Sequence, residues 1–142
     1  MMEKRLLAIG DGCRLAWRFE GPVDAPVLLL SNSLGTTMEM WAPQIAVWAR
    51  RFNVLRYDSR GHGDSDAPAG AYSMDRLGRD AVELLDGLGL DRAHFCGLSQ
   101  GGMVGNGSPF TRRTASIGSC SPTLPPIWDR RPDGRRESTL YA

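Results

Sequence analysis

Short apolar runs and amphipathic stretches alternate along the chain as far as residue 105. Residues 6–9 and 14–19 flank the turn sequence Gly-Asp-Gly, a pattern typical of a β-hairpin. Residues 27–31 are a short run of Val and Leu of the kind that predicts a strand buried on both faces. Residues 53–57 predict another buried strand, and residues 93–96 predict a further one. The pattern therefore predicts about five strands, of which the first two form a hairpin.

Two amphipathic helices are predicted between these strands. The first covers residues 41–52, and its apolar positions are Trp41, Ile45, Ala46, Trp48 and Ala49. The second covers residues 73–90, with Ser73 as the N-cap and an apolar stripe at Leu77, Ala81, Leu84 and Leu85. Strands that alternate with helices predict an α/β domain, which is a mostly parallel sheet with helices on both faces.

The pattern stops after residue 105. Residues 106–142 contain six Arg, three acidic residues and five of the nine Pro, with no Val, no Lys and neither helical nor strand periodicity. We therefore divide the chain into a partial α/β domain at 1–105 and an anomalous tail at 106–142. A disordered extension of low hydrophobicity is one explanation of this tail.

Composition excludes several classes of partner. The net charge of +1 favours neither nucleic acid nor a membrane surface, and no apolar run reaches the roughly 20 residues of a membrane span. The start of the chain lacks the apolar segment of a secretory signal, so a cytoplasmic protein is expected. The cysteines Cys13, Cys96 and Cys120 are odd in number and lack metal-binding spacing, which favours reduced thiols, no metal and no cofactor.

The sequence Gly-Leu-Ser-Gln-Gly at residues 97–101 matches G-x-S-x-G. It follows an apolar strand and opens a predicted helix, which is the context of a nucleophile elbow. Gly97 and Gly101 let the backbone make the sharp turn, and Ser99 is the predicted catalytic nucleophile. The helix beyond Ser99 directs backbone N–H groups and its positive dipole end toward developing negative charge.

A serine nucleophile of this kind needs an oxyanion hole, usually made by two backbone N–H groups. Gln100, which follows the nucleophile, is the first expected donor. The loop at residues 31–37 after the third strand supplies the second, and Leu34 is the expected donor there. Asn32 and Ser33 stand where many α/β-hydrolases carry His-Gly, and they are expected to support the turn of this loop.

Neither histidine is expected to act as the catalytic base. His62 lies in Gly-His-Gly before the nucleophile, whereas α/β-hydrolases place the acid and then the histidine after the serine. A structural role in the turn is therefore predicted for His62. His94 lies within a predicted strand, where a packing or solvent-facing role is expected.

Three stretches together resemble the 3-oxoadipate enol-lactonases: L-L-L-S-N-S-L-G-T-T-M-E-M-W, then R-Y-D-S-R-G-H-G-D-S, then H-F-C-G-L-S-Q-G-G-M-V-G. The resemblance covers residues 1–105 and implies the N-terminal part of an α/β-hydrolase fold. It also implies cofactor-free hydrolysis of the enol-lactone of the β-ketoadipate pathway, in aromatic catabolism. The expected partner is a small lactone or ester, and the oligomeric state stays open.

The resemblance transfers the nucleophile but not its partners. No histidine follows position 94, and Asp129, Asp133 and Glu137 have no counterpart in the family's pattern. The chain as written is therefore expected to be inactive. Two alternatives stay open: another esterase or a cofactor-free haloperoxidase on the same fold, and a truncated product without catalytic activity.

A shifted reading frame accounts for the anomalous tail. Back-translated from Gly105 and read one base earlier, permitted codons give Q-R-L-A-I-H-A-P-D-R-I-D-R-L-V-L-A-N-T-S-P-Y-M-G-P-P. This resembles the continuation of the elbow helix and the next strand in the enol-lactonases. The first base of each codon is free to choose, whereas the second bases are mostly fixed and agree throughout. We therefore expect a single-base insertion or deletion near Gly105.

Overall fold

The computed structural model describes residues 3–106 together with the backbone of residues 114–119. The expectations for Cys120, Asp129, Asp133, Glu137 and most of the tail lie outside these residues. Within the described part, no helix is long and apolar enough to cross a membrane.

Six strands form one sheet in the order β1-β2-β4-β3-β5-β6. The hairpin pair β1 and β2 is antiparallel, β2 also runs antiparallel to β4, and the pairs β3–β4, β3–β5 and β5–β6 are parallel. This arrangement confirms the predicted fold class. The strands are β1 Arg5–Ala8, β2 Arg14–Glu20, β3 Val27–Ser31, β4 Asn53–Tyr57, β5 Ala93–Gly97 and β6 Thr114–Ser119.

Three α-helices are described: α1 Ala42–Trp48, α2 Met74–Gly87 and α3 Gln100–Asn106. The Ser73 hydroxyl accepts the Arg76 N–H at 3.0 Å, which confirms the predicted N-cap of α2. The predicted helix at 41–52 is too long, because a 3₁₀ turn at Met38–Trp41 precedes α1 and turns follow it. Ala46 is exposed and does not belong to the apolar stripe.

Helices cover both faces of the sheet. Because successive strand side chains point to opposite faces, Leu29 and Leu55 pack in the cluster that includes Leu84 of α2. Leu28 and Leu30 pack on the other face, in the cluster that Trp48 of α1 joins. The sheet therefore has a core on each side, as the Val- and Leu-rich strands predicted.

One feature of the tail was not predicted. The tail contains a strand at Thr114–Ser119, which pairs in parallel with β5. The edge of β5 offers a row of backbone N–H and C=O groups, and such an edge pairs with a segment whatever its side-chain periodicity. Cys13 is free and buried, and Cys120 lies outside the described residues.

Candidate active site

Ser99 occupies the turn between β5 and α3. Its φ angle is 54°, and it is the only residue other than glycine with a positive φ in the part of the chain that the structure describes. The left-handed conformation costs an L-residue roughly 1–2 kcal/mol, and such strain is concentrated at functional sites. The Ser99 side chain is exposed, so its hydroxyl is accessible to a substrate.

The two glycines of the elbow make room for close backbone packing. A Cβ at Gly97 would overlap the backbone of Gly101 and Gly102. A Cβ at Gly101 would collide with the carbonyl group of Ser31, at the end of β3. Leu98 also donates its N–H to the Ser31 carbonyl at 3.2 Å. The elbow therefore lies directly against the start of the loop that was predicted to form the oxyanion hole.

The side chain of Asn32 fixes the start of that loop. It is only 2% exposed, and its amide donates to the Tyr57 carbonyl at 2.8 Å while its oxygen accepts the Trp41 indole N–H at 2.8 Å. The Tyr57 hydroxyl lies 3.0 Å from Ser31 Oγ, and burial raises the pKa of Tyr57 to about 12. Asn32 therefore satisfies two buried groups with one side chain, which explains why an amide suits this position.

Three of the backbone N–H groups at residues 32–37 have an acceptor among the described residues, and those of Asn32, Leu34 and Thr37 have none. Ser33 N–H lies 3.4 Å from Met40 Sδ, Gly35 N–H donates to His62 Nε2 at 2.9 Å, and Thr36 N–H donates to the Ser33 carbonyl at 3.3 Å. Leu34 N–H makes no hydrogen bond with any described residue, and its side chain is 66% exposed.

Gln100 is the first residue of α3, where the helix leaves its backbone donors without partners. Its N–H has no acceptor among the described residues. The two N–H groups predicted as oxyanion donors, those of Gln100 and Leu34, are thus free of internal partners. The elbow and the loop meet at Ser31, which is the last residue of β3. Both N–H groups therefore belong to segments that leave the carboxyl ends of neighbouring parallel strands.

Both histidines are engaged elsewhere. His62 Nε2 accepts the Gly35 N–H of the 31–37 loop, and His62 Nδ1 lies 3.1 Å from the Arg60 carbonyl oxygen. His94 on β5 packs edge-on against Phe52, and burial lowers its pKa. Ser99 Oγ makes no hydrogen bond with any residue in the described part of the chain, so these residues provide no base for it.

Sequence reasoning missed a buried acid beside the loop. Asp58 is fully buried and accepts the Met38 N–H at 2.7 Å and the Asp64 N–H at 3.1 Å. Its backbone carbonyl accepts the Ser65 hydroxyl at 2.6 Å. Asp58 therefore links the turn after β4 to the 3₁₀ turn at Met38–Trp41, which follows the 31–37 loop. The one indication in the sequence was its place in R-Y-D-S-R-G-H-G-D-S.

Within residues 3–106, no group of three His, Cys, Asp or Glu side chains is arranged to hold a metal ion. The carboxylates nearest to one another are instead paired with arginines. Arg60 makes two hydrogen bonds to Asp80, at 2.6 and 2.7 Å, and a third to Asp11 at 2.8 Å. The described geometry presents an exposed serine in a strained turn at the end of β5.

Comparison with known proteins agrees with this geometry. The profile of the alpha/beta hydrolase fold family matches residues 26–106. The 3-oxoadipate enol-lactonase 2 of Acinetobacter baylyi is 49% identical over 85 residues, which are 60% of this chain and 32% of that protein. RutD of Caulobacter segnis, whose name describes a carbamate hydrolase, is 43% identical over 81 residues, which are 56% of this chain and 30% of that protein.

A solved structure supports the same relationship. The enol-lactonase of Burkholderia xenovorans matches with a TM-score of 0.69 and 48% identity, over 71% of this chain and 39% of that one. The chain spans about a third of the length of the curated relatives it matches, since the shares are 32% and 30%.

Proposed function

The chain belongs to the α/β-hydrolase fold family, and from this premise we propose that it descends from a serine hydrolase acting on 3-oxoadipate enol-lactone. The observation that carries the proposal is the left-handed Ser99 at the β5–α3 turn. That conformation presents the hydroxyl at the carboxyl end of β5. The proposal takes the N–H groups of Leu34 and Gln100 as its oxyanion donors, because neither has an acceptor among the described residues.

The proposed reaction begins with attack of Ser99 Oγ on the lactone carbonyl carbon. The carbonyl oxygen becomes negatively charged, and the N–H groups of Leu34 and Gln100 donate to it. Cleavage of the ring C–O bond opens the ring, and the enol oxygen takes up the proton removed from Ser99. The opened molecule stays bound to Ser99 through its acyl group, and its enol tautomerises to the ketone of 3-oxoadipate. Water then hydrolyses that ester, so the two steps need no cofactor.

A base must take the Ser99 proton in the first step, and an acid must orient that base. The described residues provide neither for Ser99. We propose that both come from sequence beyond the elbow helix, in the reading frame that was lost near Gly105. The 142-residue chain as written is then inactive, and the tail at 106–142 replaces the authentic continuation. Its cytoplasmic location stays a prediction.

The lactone is favoured over other substrates because the enol-lactonase relative has a higher identity, 49% against 43% for RutD. RutD nevertheless makes carbamate hydrolysis a specific second candidate. A carbamate carbonyl could occupy the same two donors, because both reactions place negative charge on a carbonyl oxygen. Substrate choice depends on groups that contact the rest of the molecule, and the fold alone does not determine it.

A substrate panel on a frame-corrected chain tests the proposal. The gene is corrected by one base near the Gly105 codon, and the product is assayed with 3-oxoadipate enol-lactone, simple aryl esters and carbamates. The proposal expects kcat/KM for the enol-lactone to exceed that for the other substrates. A higher kcat/KM for a carbamate would replace the lactone with the second candidate, and the same panel on the written chain gives the background.

A further inference from the structure

The loop that carries the second oxyanion donor is held by side chains from two other elements. Met40, in the 3₁₀ turn, places its sulfur 3.4 Å from Ser33 N and 3.0 Å from Thr36 Oγ1. His62, in the turn after β4, accepts the Gly35 N–H at 2.9 Å. The bonds to Ser33 and Gly35 lie on either side of Leu34, whose own N–H makes no hydrogen bond within residues 3–106.

The hydrogen bonds of His62 define its protonation state. A backbone N–H can only donate, so Nε2 must present its lone pair to Gly35. A carbonyl oxygen can only accept, so Nδ1 must carry the proton that faces Arg60 O at 3.1 Å. These two hydrogen bonds are the ones that the Nδ1–H tautomer of the ring makes.

The turn that carries His62 is itself rigidly attached. The Arg60 guanidinium is 4% exposed and is bound to Asp80, which is 2% exposed and lies on α2. Asp58 ties the same turn to Met38 through its carboxylate. Because this turn is held in place, the hydrogen bond to the His62 ring restrains the Gly35 N–H group that donates it.

The turn at residues 33–36 is closed on itself by two hydrogen bonds to the Ser33 carbonyl, from Thr36 N–H at 3.3 Å and from Thr36 Oγ1 at 2.7 Å. Gly35 in this turn has a φ angle of +74°, and a Cβ built there would meet nothing within 4 Å. Leu34 beside it is mostly exposed. The bond from Gly35 N–H to His62 is the contact that ties this exposed turn to the turn after β4.

We propose that His62 is a positioning residue of the oxyanion hole: through Nε2 it holds Gly35 so that Leu34 N–H stays free for the substrate oxygen. This inference rests on the proposed function, because Leu34 is a donor only if Ser99 attacks a carbonyl. It gives a role to a histidine that the sequence placed outside the triad.

The test uses the full 142-residue chain and needs no catalysis. Amide hydrogen exchange of Gly35 and Leu34 is followed by ¹⁵N NMR in the parent, H62F, H62Q and M40L. Phe keeps the ring shape without an acceptor, whereas the Gln amide oxygen can take the place of Nε2. Met40→Leu is the matched control, because it removes the acceptor next to Ser33 and leaves the one at Gly35.

We expect exchange at Gly35 to rise about tenfold in H62F and to return toward the parent rate in H62Q. The Leu34 amide resonance should shift in H62F, while M40L should leave Gly35 protected. The ring nitrogens should show unprotonated Nε2 and protonated Nδ1 in the parent. Unchanged Gly35 exchange in H62F, or a proton on Nε2, would overturn the inference.

These readouts separate the inference from the function it rests on. Gly35 protection that depends on residue 62, combined with a frame-corrected chain that hydrolyses no lactone, would refute the proposed function and leave the hydrogen bond standing. If the frame-corrected chain hydrolyses the lactone but the exchange rate of the Gly35 amide does not depend on residue 62, the positioning role alone is refuted.

Discussion

Single atoms decide the geometry of the elbow. Ser99 has a φ angle of 54°, which an L-residue adopts at a cost, and Gly101 packs so closely on Ser31 that a methyl group does not fit. The G-x-S-x-G pattern was sufficient to predict Ser99 and both glycines. It could not predict the bonds of His62 and Met40 to the loop, because these join residues through the fold rather than through a motif.

Gly101→Ala should destabilise the fold by about 3 kcal/mol or more, because the new Cβ meets the backbone of Ser31 rather than a flexible side chain. Urea unfolding of the two chains measures the difference. Gly35→Ala is the control: the Cβ has open space there, and only the positive φ costs about 1 kcal/mol. Equal losses at the two positions would contradict the packing argument.

Asp80→Asn should also be costly, because it leaves the Arg60 guanidinium buried with its main partner neutralised. Breaking a buried ion pair from one side costs roughly 3–5 kcal/mol. The pair between Asp75 and Arg79 is exposed on the same helix, so D75N should change the free energy of unfolding by less than about 1 kcal/mol. A D80N chain as stable as D75N would refute the structural role given to Asp80.

At the scale of elements, strands were predicted better than helix ends. The bounds of β3 and β4 agree with the predicted strands. The apolar residues Leu28–Leu30 and Val54–Leu55 carry this pattern, even though β4 also buries the polar residues Asn53 and Arg56. The helix predicted at 41–52 instead divides into a 3₁₀ turn, α1 and further turns. The strand β6 escaped prediction because its pairing depends on the edge of β5.

The connections at the hairpin should make stability depend on acid. Hydrogen bonding to Arg60 lowers the pKa of Asp11, and hydrogen bonding to Arg14 lowers the pKa of Asp66, both from an ordinary 3.8. A carboxylate with a lowered pKa in the folded chain stabilises it above the ordinary value, and this contribution is lost as pH falls through the lowered value. Stability should therefore decline as pH falls from about 5 to about 2.

Thermal unfolding across that pH range measures this effect. The double variant D11N/D66N should show a shallower decline, because its neutral amides do not titrate. An identical slope in the parent and the double variant would mean that other carboxylates cause the acid sensitivity. The variants should be compared at constant ionic strength, since exposed pairs are screened by salt.

At the scale of the molecule, the fold class was predictable from the first 105 residues, and Ser99 as the nucleophile stays a prediction. The family profile covers residues 26–106, and the two relatives match over 85 and 81 residues, which are about a third of their own length. The catalytic base was not predictable, because no histidine follows His94.

The reading-frame proposal has its own direct check in the coding DNA. Resequencing across the codons for Gly101 to Pro126 should reveal one inserted or missing base, with an open frame that continues to an acid and a histidine. A nucleotide sequence that contains no such frame would leave the tail as a genuine extension. The shifted frame would then be a product of codon choice.

The central claim is that Ser99 is the nucleophile of a lactone hydrolase, and hydrolysis of 3-oxoadipate enol-lactone by three chains tests it most directly. These are the frame-corrected chain, its Ser99→Ala variant and the 142-residue chain. We predict rapid hydrolysis by the first and rates lower by at least about 10³-fold for the other two, which lack the nucleophile or its base. A Ser99→Ala variant that hydrolyses the lactone as fast as its frame-corrected parent would contradict the claim.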